Sequence, residues 1–289
     1  MPSPSSSPLP PLLHPHLSTP LPPHSLVLLT NVLGASTNWL VLRWVYALLR
    51  SRGRGADVVG GKAEAEAEAE EKGEGEADTT VVLCSFLRDG AFWREGGGKM
   101  ALNLLHNNRF IFVDGLTALC MPDLQVPEGS PCAKDHLLRG TTAEDVRKGL
   151  EGAIAEATSR AEGGKVVLVL DQMDAWLALA EAGAVEVMDM LLGLREKVHA
   201  TILTVSADDP LLHAQNTTLE KEHAAFALSL AHEAHQVMAL RLLDTGTARD
   251  VSGVVRITGG GKGSGGTADA EYLYYVSGDG GVRVFERGT

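Results

Sequence analysis

No two of the three cysteines in this 289-residue sequence share a C-x-x-C spacing. Cys84, Cys120 and Cys132 leave an odd thiol, so neither a disulfide framework nor a thiolate metal cage is indicated, and reduced thiols in a cytosolic or nuclear protein are expected. The N-terminus lacks a basic stretch ahead of an apolar run, so no signal peptide is expected. The uncharged apolar stretch Leu26 to Leu42 carries Thr30, Asn31, Gly34, Ser36, Thr37 and Asn38 at its centre, which a bilayer would not tolerate; no membrane segment is read. None of the four tyrosines is followed four residues later by lysine, which removes the proton-transfer pair of a short-chain dehydrogenase. His232 and His235 in "HEAHQ" stand three apart rather than four, so an H-E-x-x-H zinc helix is absent, and with His223 they read as surface and interface histidines. No nucleophile–base arrangement can be argued, and no catalytic residue, metal or cofactor is assigned.

What is present is an alternating pattern. The first 23 residues hold nine of the thirteen prolines and are expected to be a disordered tail. The run from Gly55 to Thr80 holds nine acids against two lysines, so −7 of the net charge of −12 sits there. It is read as a solvated acidic insert over about residues 55–78, and the remaining −5 neither supports nor excludes a polyanion partner. Between and beyond lie apolar runs suited to strands: Ser25–Thr30, Thr80–Phe86, Arg109–Val113, Lys165–Leu170 and Thr201–Val205. Helices are predicted over Ser36–Arg50, Phe92–His106, Thr141–Glu162, Val185–Val198 and Thr217–Ala234. The end reads as antiparallel strands, the last two joined through Ser277–Gly281. The expectation is one α/β domain over residues 24–289, a parallel sheet with helices on both faces and antiparallel strands at its C-terminus, an arrangement that resembles the RecA-like architecture.

Two places have the outline of nucleotide chemistry. "SLVLLTNVLGASTNW" is a strand, a small-residue turn and a helix, the frame of a phosphate-binding loop G-x-x-x-x-G-K-[ST]. With Gly34 as the second glycine, Leu29 takes the first, Ala35 the lysine position and Ser36 the Mg²⁺ hydroxyl. A helix N-terminus still attracts an anion, but without the lysine a capped turn with no ligand is the stronger reading. "VVLVLDQMD" resembles a Walker B strand ending in Asp171, where capping of the next helix is weighed above metal binding. A third segment, "LRLLDTGTARDVSGVVRITGGG", alternates charges (Arg241, Asp244, Thr245, Arg249, Asp250, Arg256) around glycine turns. It fits a polar hairpin with internal ion pairs and a subunit interface equally well.

The segments "CSFLRDGAFWREGGGKMALNL", "RFIFVDGLT", "LRLLDTGTARDVSGVVRITGG" and "YLYYVSGDGGVRVFERG" together resemble the fungal form of the Elongator complex protein 6 family, over nearly everything from His24 to Gly288 apart from the acidic insert. The resemblance implies a RecA-like domain without intact Walker motifs that is not itself an enzyme. It implies assembly with Elongator proteins 4 and 5 into a hetero-hexameric ring, which binds tRNA and serves the core Elongator subcomplex in modifying wobble uridines at carbon 5, in the cytoplasm or nucleus. Two alternatives stay open at this point: an active P-loop-type NTPase with a divergent site, and a scaffold unrelated to tRNA modification.

Overall fold

The computed structural model describes residues 8–50, 78–121, 135–243, 248–262 and 269–286. The acidic insert up to residue 77, Cys132, Asp244 and Thr245 lie outside these residues. Ten strands form one sheet: β1 (Ser25–Asn31), β2 (Thr79–Ser85), β3 (Phe110–Asp114), β4 (His136–Leu137), β5 (Lys165–Asp171), β6 (Ala200–Ser206), β7 (Gln236–Arg241), β8 (Gly253–Gly259), β9 (Ala270–Val276) and β10 (Val282–Phe285). Their order is β10-β9-β8-β7-β1-β6-β5-β2-β3-β4. From β7 to β4 every pairing is parallel, while β7 to β10 pair antiparallel.

The central strands are apolar at consecutive positions because both faces are covered. In β1, Leu26 and Leu28 enter one core while Val27 and Leu29 enter the other; in β5, Leu168 and Leu170 part from Val167 and Val169 in the same way. The first core lies under α5 (Ala143–Ala161), α6 (Met173–Leu179), α7 (Ala184–Arg195) and α8 (Thr218–Glu233). The second lies under α1 (His14–Ser18), α2 (Asn38–Arg50) and α3 (Gly90–Gly98). A further short helix, α4 (Thr117–Cys120), follows β3.

Local chemistry sets the helix starts. The Thr142 hydroxyl accepts the Asp145 N–H to cap α5, Asp89 accepts the Phe92 N–H to cap α3, and Thr217 with Glu220 forms a reciprocal capping box on α8. The helix expected over Phe92–His106 is shorter, because the chain folds back onto Gly97. The Leu102 N–H reaches the Gly97 carbonyl at 2.9 Å, and a Cβ on Gly97 would sit 2.9 Å from the Leu104 side chain. One isolated turn, Leu104–His106, follows.

The expectation of a disordered tail over residues 1–23 does not hold from residue 8 onward. Leu13 and Leu17 of this segment are buried in the core beneath α2, and His199 Nε2 lies 2.8 Å from the Leu21 carbonyl. Prolines dilute the apolar residues in the sequence, but a few leucines are enough when an apolar groove is already formed to receive them. Leu13→Ala should therefore destabilise the protein by about 2–5 kcal/mol, the range for emptying a buried leucine site. Urea unfolding reads this directly; a change below about 0.5 kcal/mol would mean the segment is not part of the core.

Candidate functional site

The parallel topology brings the C-terminal ends of β1, β6, β5, β2 and β3 together along one edge of the sheet, the place where open α/β sheets hold ligands. β6 lies between β1 and β5, so the loop after β1 and the aspartate ending β5 face each other across one intervening strand.

The loop runs from Val32 to Thr37, between the end of β1 and the start of α2. Leu29, which the sequence aligns with the first glycine, is not in it; Leu29 is a fully buried β1 core residue. Gly34 adopts φ +91°, the left-handed conformation that favours glycine. Ala35 is buried, its N–H donating to the Val32 carbonyl at 2.9 Å, and Ser36 Oγ accepts the Asn38 N–H at 3.2 Å. The Leu33 N–H donates to Asp208 Oδ1 at 2.8 Å, so one loop amide that a phosphate would need already serves a carboxylate of the chain itself. The Leu33 side chain is 85% exposed, and Leu242 lies against Gly34. Directly before α2 stands Thr37, so the loop has no lysine whether aligned by sequence or by the helix start.

Across β6, Asp171 is fully buried. Its Oδ2 accepts the Ser85 hydroxyl of β2 at 2.8 Å, and its Oδ1 accepts the Thr204 hydroxyl of β6 at 3.0 Å. Each hydroxyl in turn accepts a backbone N–H: Ser85 that of Arg88 at 3.0 Å, and Thr204 that of Gln172 at 2.7 Å. Gln172, with φ +54°, donates through Nε2 to Asn31 at the end of β1 and accepts the Ser206 hydroxyl through Oε1. Asp174 accepts the Ser206 N–H at 3.2 Å, and the His223 ring lies 2.8 Å from the Ser206 carbonyl. Asp114 of β3 accepts the N–H groups of Leu116 and Thr117. The strand ends are thus cross-linked by their own side chains. Asp171 caps no helix through its side chain; it ties β2 to β6, a role the sequence does not announce because Ser85 and Thr204 come from distant strands.

The histidines named from sequence do not meet. His223 packs at the C-terminal end of β6, whereas the His235 ring approaches the Leu26 N–H at the opposite end of β1. Among the described residues no group of three or more His, Cys, Asp or Glu side chains is arranged to hold a metal ion, and no helix is long and apolar enough to cross a membrane. Cys84 is buried, and burial pushes its thiol pKa well up; Cys120 is exposed. Arg241 and Arg256 share one face of the β7–β8 ladder, and Arg241 pairs with Glu271 of β9 at 3.3 Å. Arg249 and Asp250 are exposed in the loop before β8.

No family model matches the sequence, and no curated protein matches it. Solved structures do. A KaiC-like protein from the hyperthermophilic archaeon Pyrococcus horikoshii is 14% identical with a TM-score of 0.57, covering 97% of each chain. The flagellar accessory protein FlaH from Methanocaldococcus jannaschii is 13% identical with a TM-score of 0.56, covering 94% of each chain. The fold is RecA-like: a mostly parallel central sheet between helical layers, extended by antiparallel C-terminal strands. At these identities the likeness concerns the fold alone.

The buried carboxylate gives the site a signature. Burial, with Asp174 nearby, pushes Asp171 up to about 6 from an ordinary 3.8, against the two hydroxyl donors that favour its charged form. The folded state therefore holds this proton more tightly than the unfolded state. Its contribution to stability is complete below the unfolded value and is lost as pH rises through about 6. Relative to Asp171→Asn, the wild-type chain should gain on the order of 2 kcal/mol between roughly pH 7 and pH 4. Urea titrations of both proteins measure that difference, and a difference flat with pH would remove the argument.

Proposed function

We propose that this chain is a non-catalytic RecA-like subunit of Elongator type. In this reading it assembles with Elongator proteins 4 and 5 into a hetero-hexameric ring that binds tRNA, and the ring serves the core Elongator subcomplex in modifying the wobble uridine at carbon 5, in the cytoplasm or nucleus. The observation that carries the reading is the filled nucleotide frame. The strand, loop and helix of a phosphate site are kept, while Ala35 and Thr37 bring no cation, a loop amide is given to Asp208, and Asp171 is held by Ser85 and Thr204. The sequence segments that resemble the Elongator complex protein 6 family supply the ring, its partners and tRNA.

A RecA-like domain without a ligand of its own still presents two different faces, and heterologous contacts between such faces close into rings. The exposed pair Arg249 and Asp250, with Arg241 and Arg256 behind it, is the candidate contact; Asp244 and Thr245 of the same run fall outside the described residues. Co-expression of the tagged chain with Elongator proteins 4 and 5 should yield a hexamer by size exclusion with light scattering. Arg249→Glu with Asp250→Arg should abolish the hexamer while circular dichroism stays unchanged. A full ring from the double variant would move the interface elsewhere, and failure of the wild-type chain to join the two partners would end the ring reading. Calorimetry should find no sub-micromolar Mg·ATP affinity for the isolated chain; such affinity would favour an active NTPase.

A further inference from the structure

The helical layer over the first core stops at α8. On that side of the sheet Val237 of β7 still packs against it, but no side chain of β8, β9 or β10 belongs to this core. Strand alternation sends Val255, Ile257, Tyr274 and Val282 into the opposite core, beneath α2. The other set lies outside both cores. Leu273 and Phe285, half-buried, stand in one row with Val254, which is fully buried, and with Arg241 of β7 at its end. Tyr275 lies two residues along β9 from Leu273, and Arg283 stacks over its ring at 5.2 Å. Arg256 is exposed beside this row, opposite Glu271.

The row has the anatomy of a contact surface: an apolar centre of Leu, Phe and Tyr, half-buried, inside a rim of arginines. Three strands spaced about 4.8 Å apart make a strip about 10 Å wide, the diameter of one helix. Three arginines against Glu271 give this strip a positive balance in a chain whose net charge is −12. A second copy of the chain docking by the same face would set arginine against arginine. A nucleic acid would need free ring faces for stacking, and the Tyr275 ring is already covered by Arg283.

We propose that the outward face of β8–β10 docks an acidic amphipathic helix of a partner protein, laid beside α8 as the next element of the helical layer. Its apolar stripe would cover Leu273, Tyr275 and Phe285, and its flanking carboxylates would meet Arg256 and Arg283. The surface shares Arg241 and Arg256 with the candidate ring contact but not Arg249 or Asp250; its apolar centre and Arg283 lie outside that contact, and its test on the chain alone does not depend on the ring reading.

The test uses the full chain and a fluorescent synthetic helix of about 18 residues, five turns, with a leucine stripe flanked by glutamates. Anisotropy should show saturable binding, weakened about tenfold or more in Arg256→Glu/Arg283→Glu, a surface double variant whose fold circular dichroism verifies. A lysine-flanked version of the peptide should bind the wild type at least about tenfold more weakly, and amide exchange should slow on β9 and β10 when the acidic peptide is bound. Equal binding of both peptides, or no loss in the double variant, overturns the proposal. So does a concentration-dependent dimer that the same variant abolishes, or tighter arginine-dependent binding of a single-stranded RNA oligonucleotide than of the acidic peptide.

Discussion

A parallel strand buried on both faces has nowhere to place a polar side chain except at its ends, and this constraint organises the molecule. β1, β5 and β6 are apolar inside, so two helical layers must cover them, and what the helices leave open the chain closes with its N-terminal segment. Leu13 and Leu17 extend the cover beside α2. The constraint relaxes where pairing turns antiparallel at β7: from there alternate residues differ in character, and one face of β8–β10 lies outside both cores.

Polar groups pushed to the strand ends must satisfy each other or a ligand. Around Asp171 they satisfy each other, while Asp174 Oδ1 and the Thr37 hydroxyl stay buried without a hydrogen-bond partner among the described residues. Each oxygen of Asp171 accepts a hydroxyl, each hydroxyl relays a backbone N–H, and Gln172 spans to Asn31 of β1. An edge with such internal pairing has less to gain from binding phosphate and magnesium, because their partners would first have to be withdrawn from bonds already made. The missing lysine and the occupied carboxylate thus both reduce what this edge offers a phosphate.

The alternation of apolar runs and capped helices made the sheet, its RecA-like architecture and the antiparallel end legible from sequence, since periodicity and caps are local signals. Thr142 and Thr217 announce their helices, and β5 announces itself as central. Burial of the N-terminal segment was not legible, because it depends on a groove built by α2 and distant strands. Nor was the role of Asp171: the strand-end position pointed to a cap or a metal, whereas its partners Ser85 and Thr204 lie 86 and 33 residues away. The loop register failed for a related reason. Matching Gly34 to a motif glycine assigns Leu29 to the loop, but burial keeps Leu29 in the strand and moves the loop toward the helix.

What holds α2 in place along its length? The answer lies along its buried face. Arg43, only 3% exposed, donates through Nη1 to the Trp39 carbonyl at 3.1 Å and through Nη2 to the Gly280 carbonyl at 2.9 Å, in the turn that joins β9 to β10. Burial lowers its pKa to about 10, which still leaves it charged at neutral pH, so these are charge-assisted bonds in a dry setting. Trp39 packs on Tyr274 of β9 with ring centroids 4.9 Å apart. The helix that follows the loop is thus fastened to the C-terminal hairpin. It fixes the position of β9 and β10, the two outermost strands, whose far face carries Tyr275, Arg283 and Phe285. The helix that opens after the β1 loop therefore also positions the antiparallel extension of the sheet.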